Sequence, residues 1–196
     1  MAAIALLAGC ALTEDKVPLD YVSEVTTPTV SPRADEVTLT LSAQDNRAQY
    51  RDRVSNKKNG YGMEMARIVS TNDVVDLVRG SVERELKAQG FRIGSGGVAI
   101  MVELQNFYNN FQVGLVTGTA VADVSFGLKV RDASGALLYS RNYSGSERID
   151  NIMLMTGDNA KAALQKALAY AVKQVADDAA LRQALLATRA RNSRGA

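Results

Sequence analysis

Histidine is absent from all 196 residues, and with it goes the commonest general base and metal ligand. The single cysteine, Cys10, excludes an intramolecular disulfide and a thiolate zinc cluster. Tryptophan is also absent and aromatics total only 6%. Catalysis would fall to carboxylates, lysine or hydroxyls, and no catalytic, cofactor-binding or metal site is expected. Neither sign of charge dominates, with 23 Lys and Arg against 21 Asp and Glu. The net charge of +2 is spread along the chain and gives no clustered basic face for nucleic acid. What remains is ordinary: 46% hydrophobic and 22% charged residues, close to soluble globular averages. A chain of ~150 residues buries roughly 70% of its unfolded surface, so a core forms without metal or disulfide.

The first residues are the most specific. Ala2 to Ala8 form an unbroken apolar run that ends in Gly9-Cys10. Seven apolar residues fall far short of the about 20 that cross a bilayer, but they suit the apolar part of a secretory leader. Leu7-Ala8-Gly9-Cys10 resembles the bacterial lipobox. There the thiol is the acylated group, and small residues before it let the peptidase approach the backbone. The resemblance implies cleavage after Gly9, diacylation of Cys10 and a membrane held through those acyl chains. Residues 1–9 are therefore read as a signal peptide. They are shorter than the usual 15–30 and lack a basic start, as expected of a leader cut short, either by a start codon placed too far downstream or by truncation of the chain. Lipoproteins of this kind stay in the inner membrane when Asp follows the cysteine. Here Ala11 follows, which implies the periplasmic face of the outer membrane.

Residues 10–34 are rich in Thr, Ser and charge, and hold all three prolines, Pro18, Pro28 and Pro32. They read as a lipidated cysteine on a flexible tether, with a short edge strand between Val17 and Val25. The domain is expected over residues 35–180, followed by a basic tail over 181–196. Val37-Thr38-Leu39-Thr40-Leu41 alternates as a half-buried strand, and Asp45 to Gly60 is polar and reads as a loop. The Thr71-Asn72-Asp73 cluster predicts a helix start, and Val75, Val78, Val82 and Leu86 form its apolar stripe. Gly90 ends that helix, and Gly80 inside it is read as a point of close packing against a sheet. Gly94 to Gly97 turn the chain into a strand with Val98, Ile100, Val102 and Leu104 on one side. A second strand alternates within Val113–Arg131, and a third returns over Leu137–Tyr143 after the turn Asp132-Ala133-Ser134-Gly135. A closing helix from Thr156 to beyond Asp177 carries Ala160, Leu164, Ala167, Leu168, Ala171 and Val175. The expected fold is α+β: a two-layer sandwich with a mainly antiparallel sheet and two helices on one face.

With the lipobox, the Asp45-Asn46-Arg47 triplet, the helix end Leu86-Lys87-Ala88-Gln89-Gly90-Phe91, the Asp132–Gly135 hairpin and the closing helix, the chain resembles the YajG family of uncharacterised Gram-negative lipoproteins. The resemblance covers nearly the whole chain and implies location and fold class; it assigns no reaction or ligand.

Three segments are candidates for function. Asn106-Phe107-Tyr108-Asn109-Asn110-Phe111 interleaves rings with amides, a pattern suited to stacking and hydrogen bonding with a sugar or peptide. The bland alternative, a strand end whose rings close the core, carries more weight by composition. Asp45 and Arg47 could form a small polar site, against the simpler reading of a capping acid and an ion pair. Gly94-Ser95-Gly96-Gly97 lacks the Lys-Ser/Thr of a phosphate loop and precedes a strand, so a plain turn is expected. The functional expectation is a lipid-anchored, non-catalytic protein that binds or scaffolds an envelope protein partner. The alternative is a module binding a small molecule or glycan.

Overall fold

The computed structural model describes residues 13–192, with side chains described as far as residue 188. In chain order the elements are β1 (Asp15–Val17), β2 (Thr38–Asp45), β3 (Ser55–Lys58), β4 (Glu64–Ser70), α1 (Val74–Ala88) and β5 (Arg92–Ile93). There follow β6 (Val98–Val113), β7 (Gly118–Arg131), β8 (Leu137–Ile152), α2 (Gly157–Asp177) and α3 (Ala179–Asn192).

The centre is the expected meander. β6, β7 and β8 pair antiparallel in sequence order, with Ile100 opposite Val130 and Phe126 opposite Tyr143. Val98, Ile100, Val102 and Leu104 of β6 face the core with Ala122, Val124, Phe126, Leu128 and Val130 of β7. Between β7 and β8 the turn forms around Asp132, whose Oδ1 accepts from the Ser134 and Ala136 amides at 3.0 Å each. β8 runs nine residues past Tyr143, to Ile152; that extension is mostly polar and exposed, so alternation of apolar residues could not mark it.

The fold is α+β, but a single, mainly antiparallel sheet under two helices is corrected in two respects. There are two mixed sheets. The five-stranded one runs β5-β2-β6-β7-β8, with β2 parallel to both β5 and β6; the three-stranded one runs β1-β4-β3, with β1 parallel to β4. β6 serves both. Its first half pairs with β2, and beyond Leu104 the Asn109 amide donates to the Val54 carbonyl at 2.8 Å, just ahead of β3. Within the stretch expected to be loop, β3 is a strand of buried polar residues. Ser55 donates to the Asn109 carbonyl at 2.8 Å, and Lys57 pairs with Asp15 at 2.6 Å.

α1 begins where expected. Asp73 accepts from the Val75 and Asp76 amides at 2.7 and 3.2 Å, satisfying two of the unpaired donors of the first turn. Val78, Val82 and Leu86 are fully buried. Gly90, at φ 98°, closes the helix, with the Phe91 amide on the Leu86 carbonyl and the Phe91 ring in the core. Gly80 does not pack against the sheet: a Cβ there would meet nothing within 4 Å. All six residues of the predicted α2 stripe are buried.

Two boundaries move. The stretch read as a basic tail is largely the third helix, α3, which buries Leu181 and Leu185. The stretch read as a tether joins the domain from Asp15 onward. Val17, Leu19 and Ala34 are buried, and the strand in this region is β1, shorter and earlier than Val17–Val25. Leu19 and Asn72 exchange two hydrogen bonds at 2.9 and 3.0 Å, the Tyr21 hydroxyl donates to Glu85 at 2.8 Å, and the Ser31 amide donates to the Gln89 carbonyl at 3.0 Å. The segment is a strap across α1.

Candidate functional site

Leu7, Ala8, Gly9 and Cys10 lie outside the described residues. The fold begins close behind them: β1 starts at Asp15.

The Asn106–Phe111 segment sits in the second half of β6, beyond a register shift at Gln105. One extra residue there reverses which side chains face inward. Phe107, Asn109 and Phe111 therefore point into the core. Both rings are about 1% exposed, so they cannot be contact residues for a partner or a sugar. Asn106 lies near the surface and donates to the Asp123 carbonyl at 3.1 Å. Tyr108 is half-buried, and its ring stacks on Tyr50 with centroids 4.1 Å apart and planes 18° apart. The Arg53 guanidinium lies 4.7 Å from the Tyr50 centroid, a cation–π arrangement. Burial raises the Tyr108 hydroxyl above its ordinary pKa, helped by Glu64 and Tyr50 and opposed by Arg53.

Asp45 and Arg47 do come together, as a structural clamp. Nε and Nη2 of Arg47 donate to the two carboxylate oxygens of Asp45 at 2.9 and 2.8 Å. The same guanidinium donates to the carbonyls of Tyr50 and Arg51 at 3.2 Å each, and Arg51 Nε donates back to the Arg47 carbonyl at 2.7 Å. This closes the loop on itself and holds Tyr50 in the left-handed region at φ 56°, a conformation that needs such support. The hydrogen bond from Arg47 holds the Asp45 carboxyl below its ordinary range. The clamp borders a cleft of about 280 Å³ lined also by Asp52, Arg53 and Asp73. Its charges are engaged within the molecule: Asp52 with Arg53 and Arg67, Asp73 with the start of α1.

Sequence reasoning missed a highly connected polar group, Asp178, between α2 and α3. Oδ2 accepts from Tyr139, Arg141 and Tyr143 of β8 at 2.5, 2.8 and 2.9 Å. Oδ1 accepts from the Ala180 and Leu181 amides at 2.9 and 3.0 Å and so caps α3. Tyr139, Arg141 and Tyr143 alternate along one face of a strand, a signal readable in the sequence. Their acceptor, at least 35 residues further on, was not.

Gly94 to Gly97 form the expected turn: Gly96 and Gly97 both have φ 79°, and a Cβ on Gly97 would lie 2.3 Å from the Thr38 carbonyl oxygen. Among the described residues there is no group of three side chains able to hold a metal ion, and no helix long and apolar enough to cross a membrane.

These features define a two-sheet α+β domain whose polar clusters hold its own elements together. The chain belongs to a family described as uncharacterised lipoprotein, whose model matches residues 24–186. Among solved structures it is similar to a Xanthomonas campestris protein of the family DUF330, at 15% identity and TM-score 0.56, covering 93% of this chain and 99% of that one. It is also similar to a minor lipoprotein of Acinetobacter baumannii, at 10% identity and TM-score 0.45, covering 74% and 92%. The first of these shares the fold. No curated protein matches the sequence.

Proposed function

We propose that the protein is held by acyl chains on Cys10 at the periplasmic face of the outer membrane, where it acts as a non-catalytic binding or scaffolding protein for another envelope protein. The observation that carries this reading is membership of a lipoprotein family over residues 24–186, in a chain whose lipobox-like Leu7 to Cys10 stands just ahead of the fold. Ala11 after the cysteine favours the outer membrane over the inner, and the residue pattern favours the YajG group within lipoproteins. The non-catalytic part draws support from the engagement of Asp45, Arg47, Asp73 and Asp178 in clamps and caps. For the partner, β8 offers a route. It ends the five-stranded sheet, and among the described residues no strand pairs with its outer edge. An extended segment of another protein can add there as a further strand.

The anchor is tested with a gene carrying a complete leader. The wild-type protein should fractionate with membranes and show diacylglyceryl on Cys10 by intact mass, and Cys10→Ser should appear in the soluble periplasm. Unchanged fractionation of Cys10→Ser would sink the lipoprotein reading. For the partner, a photoreactive residue at Ser140 of β8 should give a defined envelope cross-link that one at Asp76 of α1 does not. Equal cross-linking from both positions counts against β8.

A further inference from the structure

Six of the ten large apolar side chains exposed among the described residues sit on three turns: Tyr61 and Met63 between β3 and β4, Leu115 and Val116 between β6 and β7, and Met153 and Leu154 after β8. Leu115 is fully exposed and the others range from 58% to 91%. The turns Asn59–Met63, Gly114–Thr117 and Met153–Thr156 contain no charged residue, in a chain that is 22% charged.

All three lie at one end of the molecule. Gly118 opens β7 opposite Ile152, which places the Leu115–Val116 turn beside Met153 and Leu154. A Cβ on Gly118 would lie 2.7 Å from Met155 Cε, so the two segments touch. Lys58, at the end of β3, donates to Asn110 Oδ1 and the Phe111 carbonyl at 2.7 and 2.9 Å, which draws the Asn59–Met63 turn to the last residues of β6.

The N-terminal side of the chain arrives at this same end. β4 runs away from the Asn59–Met63 turn and β1 lies parallel to it, so Thr13 and Glu14, just ahead of β1, stand on the turn side. Independently, Asp15 Oδ2 accepts from the Gly157 amide at 2.9 Å, directly after the Met153–Thr156 turn. Five peptide steps separate Cys10 from Asp15, at most ~18 Å of extended chain.

We infer that the three uncharged, apolar turns at this end form a second membrane contact and dip into the headgroup and upper acyl region of the phospholipid leaflet beside the anchor. The inference rests on the proposed acylation of Cys10, which would hold these turns next to lipid at high effective concentration. The chemistry suits an interface. Tyrosine carries an apolar ring with a polar tip, and methionine and leucine fill disordered acyl surroundings without a fixed shape. Uncharged turns also avoid the cost of bringing ionised groups into lipid.

The test uses two features of the sequence, the absence of tryptophan and the single cysteine. The full-length chain is made unacylated and coupled through the Cys10 thiol to maleimide-headgroup lipid in phosphatidylethanolamine/phosphatidylglycerol vesicles containing brominated acyl chains. This supplies the tether whether or not cells acylate Cys10, so failure of the anchor reading and failure of the contact are told apart. Tyr61→Trp is the reporter, and Leu137→Trp, beside the Asp132–Gly135 turn at the opposite end, is the control. Blue-shifted emission and bromine quenching are expected for the tryptophan at position 61 and neither for that at 137. Adding Leu115→Asp and Leu154→Asp to the reporter should remove most of the quenching while leaving the circular dichroism spectrum unchanged. Quenching at neither position, or equally at both, overturns the inference, the first outcome leaving this end to a protein partner.

Discussion

A Cβ on Gly145 would fall 2.1 Å from the carbonyl oxygen of Ala167. It would also lie 2.7 Å from the Ala171 amide nitrogen, so α2 rests with its backbone directly on β8. This close approach accounts for alanine at 163, 167 and 171, all buried, where larger side chains would lift the helix away. Because the blocking atoms are backbone, they cannot swing aside. Gly145→Ala should destabilise the domain by about 2–3 kcal/mol, read as a lower urea midpoint. An unchanged midpoint would mean that α2 does not lie this close to β8.

Gly80 is the opposite case. It sits in the exposed middle of α1 with nothing within 4 Å of where a Cβ would be. Only the helix-forming penalty of glycine remains, so Gly80→Ala should raise stability by about 0.5–1 kcal/mol. A thermal melt of the two proteins side by side checks this, and a lower melting temperature for the variant would show a contact at that site.

The sequence was legible where one face of an element is buried and the other is not. α1, α2 and the inward runs of β6 and β7 obey that rule, and their stripes match the buried residues except in the first turn of α1, where Val74 is buried and the expected Val75 only half-buried. β3 breaks it, because Ser55, Asn56 and Lys57 are buried through hydrogen bonds and an ion pair, leaving no apolar alternation. α3 was concealed by its sparse stripe, with Leu181 and Leu185 the apolar residues it buries among the described side chains, ahead of Arg189, Arg191 and Arg194 in the sequence. The two sheets were illegible because β1 meets β4 about 50 residues away in sequence, and no local pattern records such a pairing. In the candidate site, the Asp45–Arg47 pair was readable as neighbours on a loop. The direction of the Phe107 ring was not. Carrying the Val98–Leu104 phase forward would turn Asn106 and Tyr108 inward, and the register shift at Gln105 inverts it.

That inversion makes a test of Phe107, Phe111 and Tyr108. Each phenylalanine is fully buried, so Phe107→Ala or Phe111→Ala should cost about 3–5 kcal/mol through lost apolar contact and a residual cavity. Tyr108→Ala removes the stack on Tyr50 at a half-buried position and should cost only about 1–2 kcal/mol. Chemical denaturation of the three single variants gives the ranking. A Tyr108 variant less stable than either phenylalanine variant would contradict the inward direction of the rings.

Asp178 links the stability of the fold to acid pH. Burial opposes its ionised form, yet hydrogen bonds from Tyr139, the Leu181 amide and Tyr143, with the charge of Arg141, hold its carboxyl at about 2. An aspartate in the unfolded chain titrates near ~3.9. The folded state therefore resists protonation more than the unfolded state does. The stabilisation that follows is fully present above pH ~4 and is lost as pH falls through the window from ~4 to ~2. With the side chain only 2% exposed, a difference of this size is worth on the order of 2 kcal/mol. Asp178→Asn keeps an acceptor for the α3 cap but removes the charge, so it should be less stable than wild type at pH 6 by about that amount. Urea unfolding at intervals from pH 6 to pH 2 should then show the two proteins converging as the wild-type carboxylate takes up its proton. A stability gap that stays constant across the window would mean that Asp178 owes its place to packing and capping alone, with no contribution from its charge.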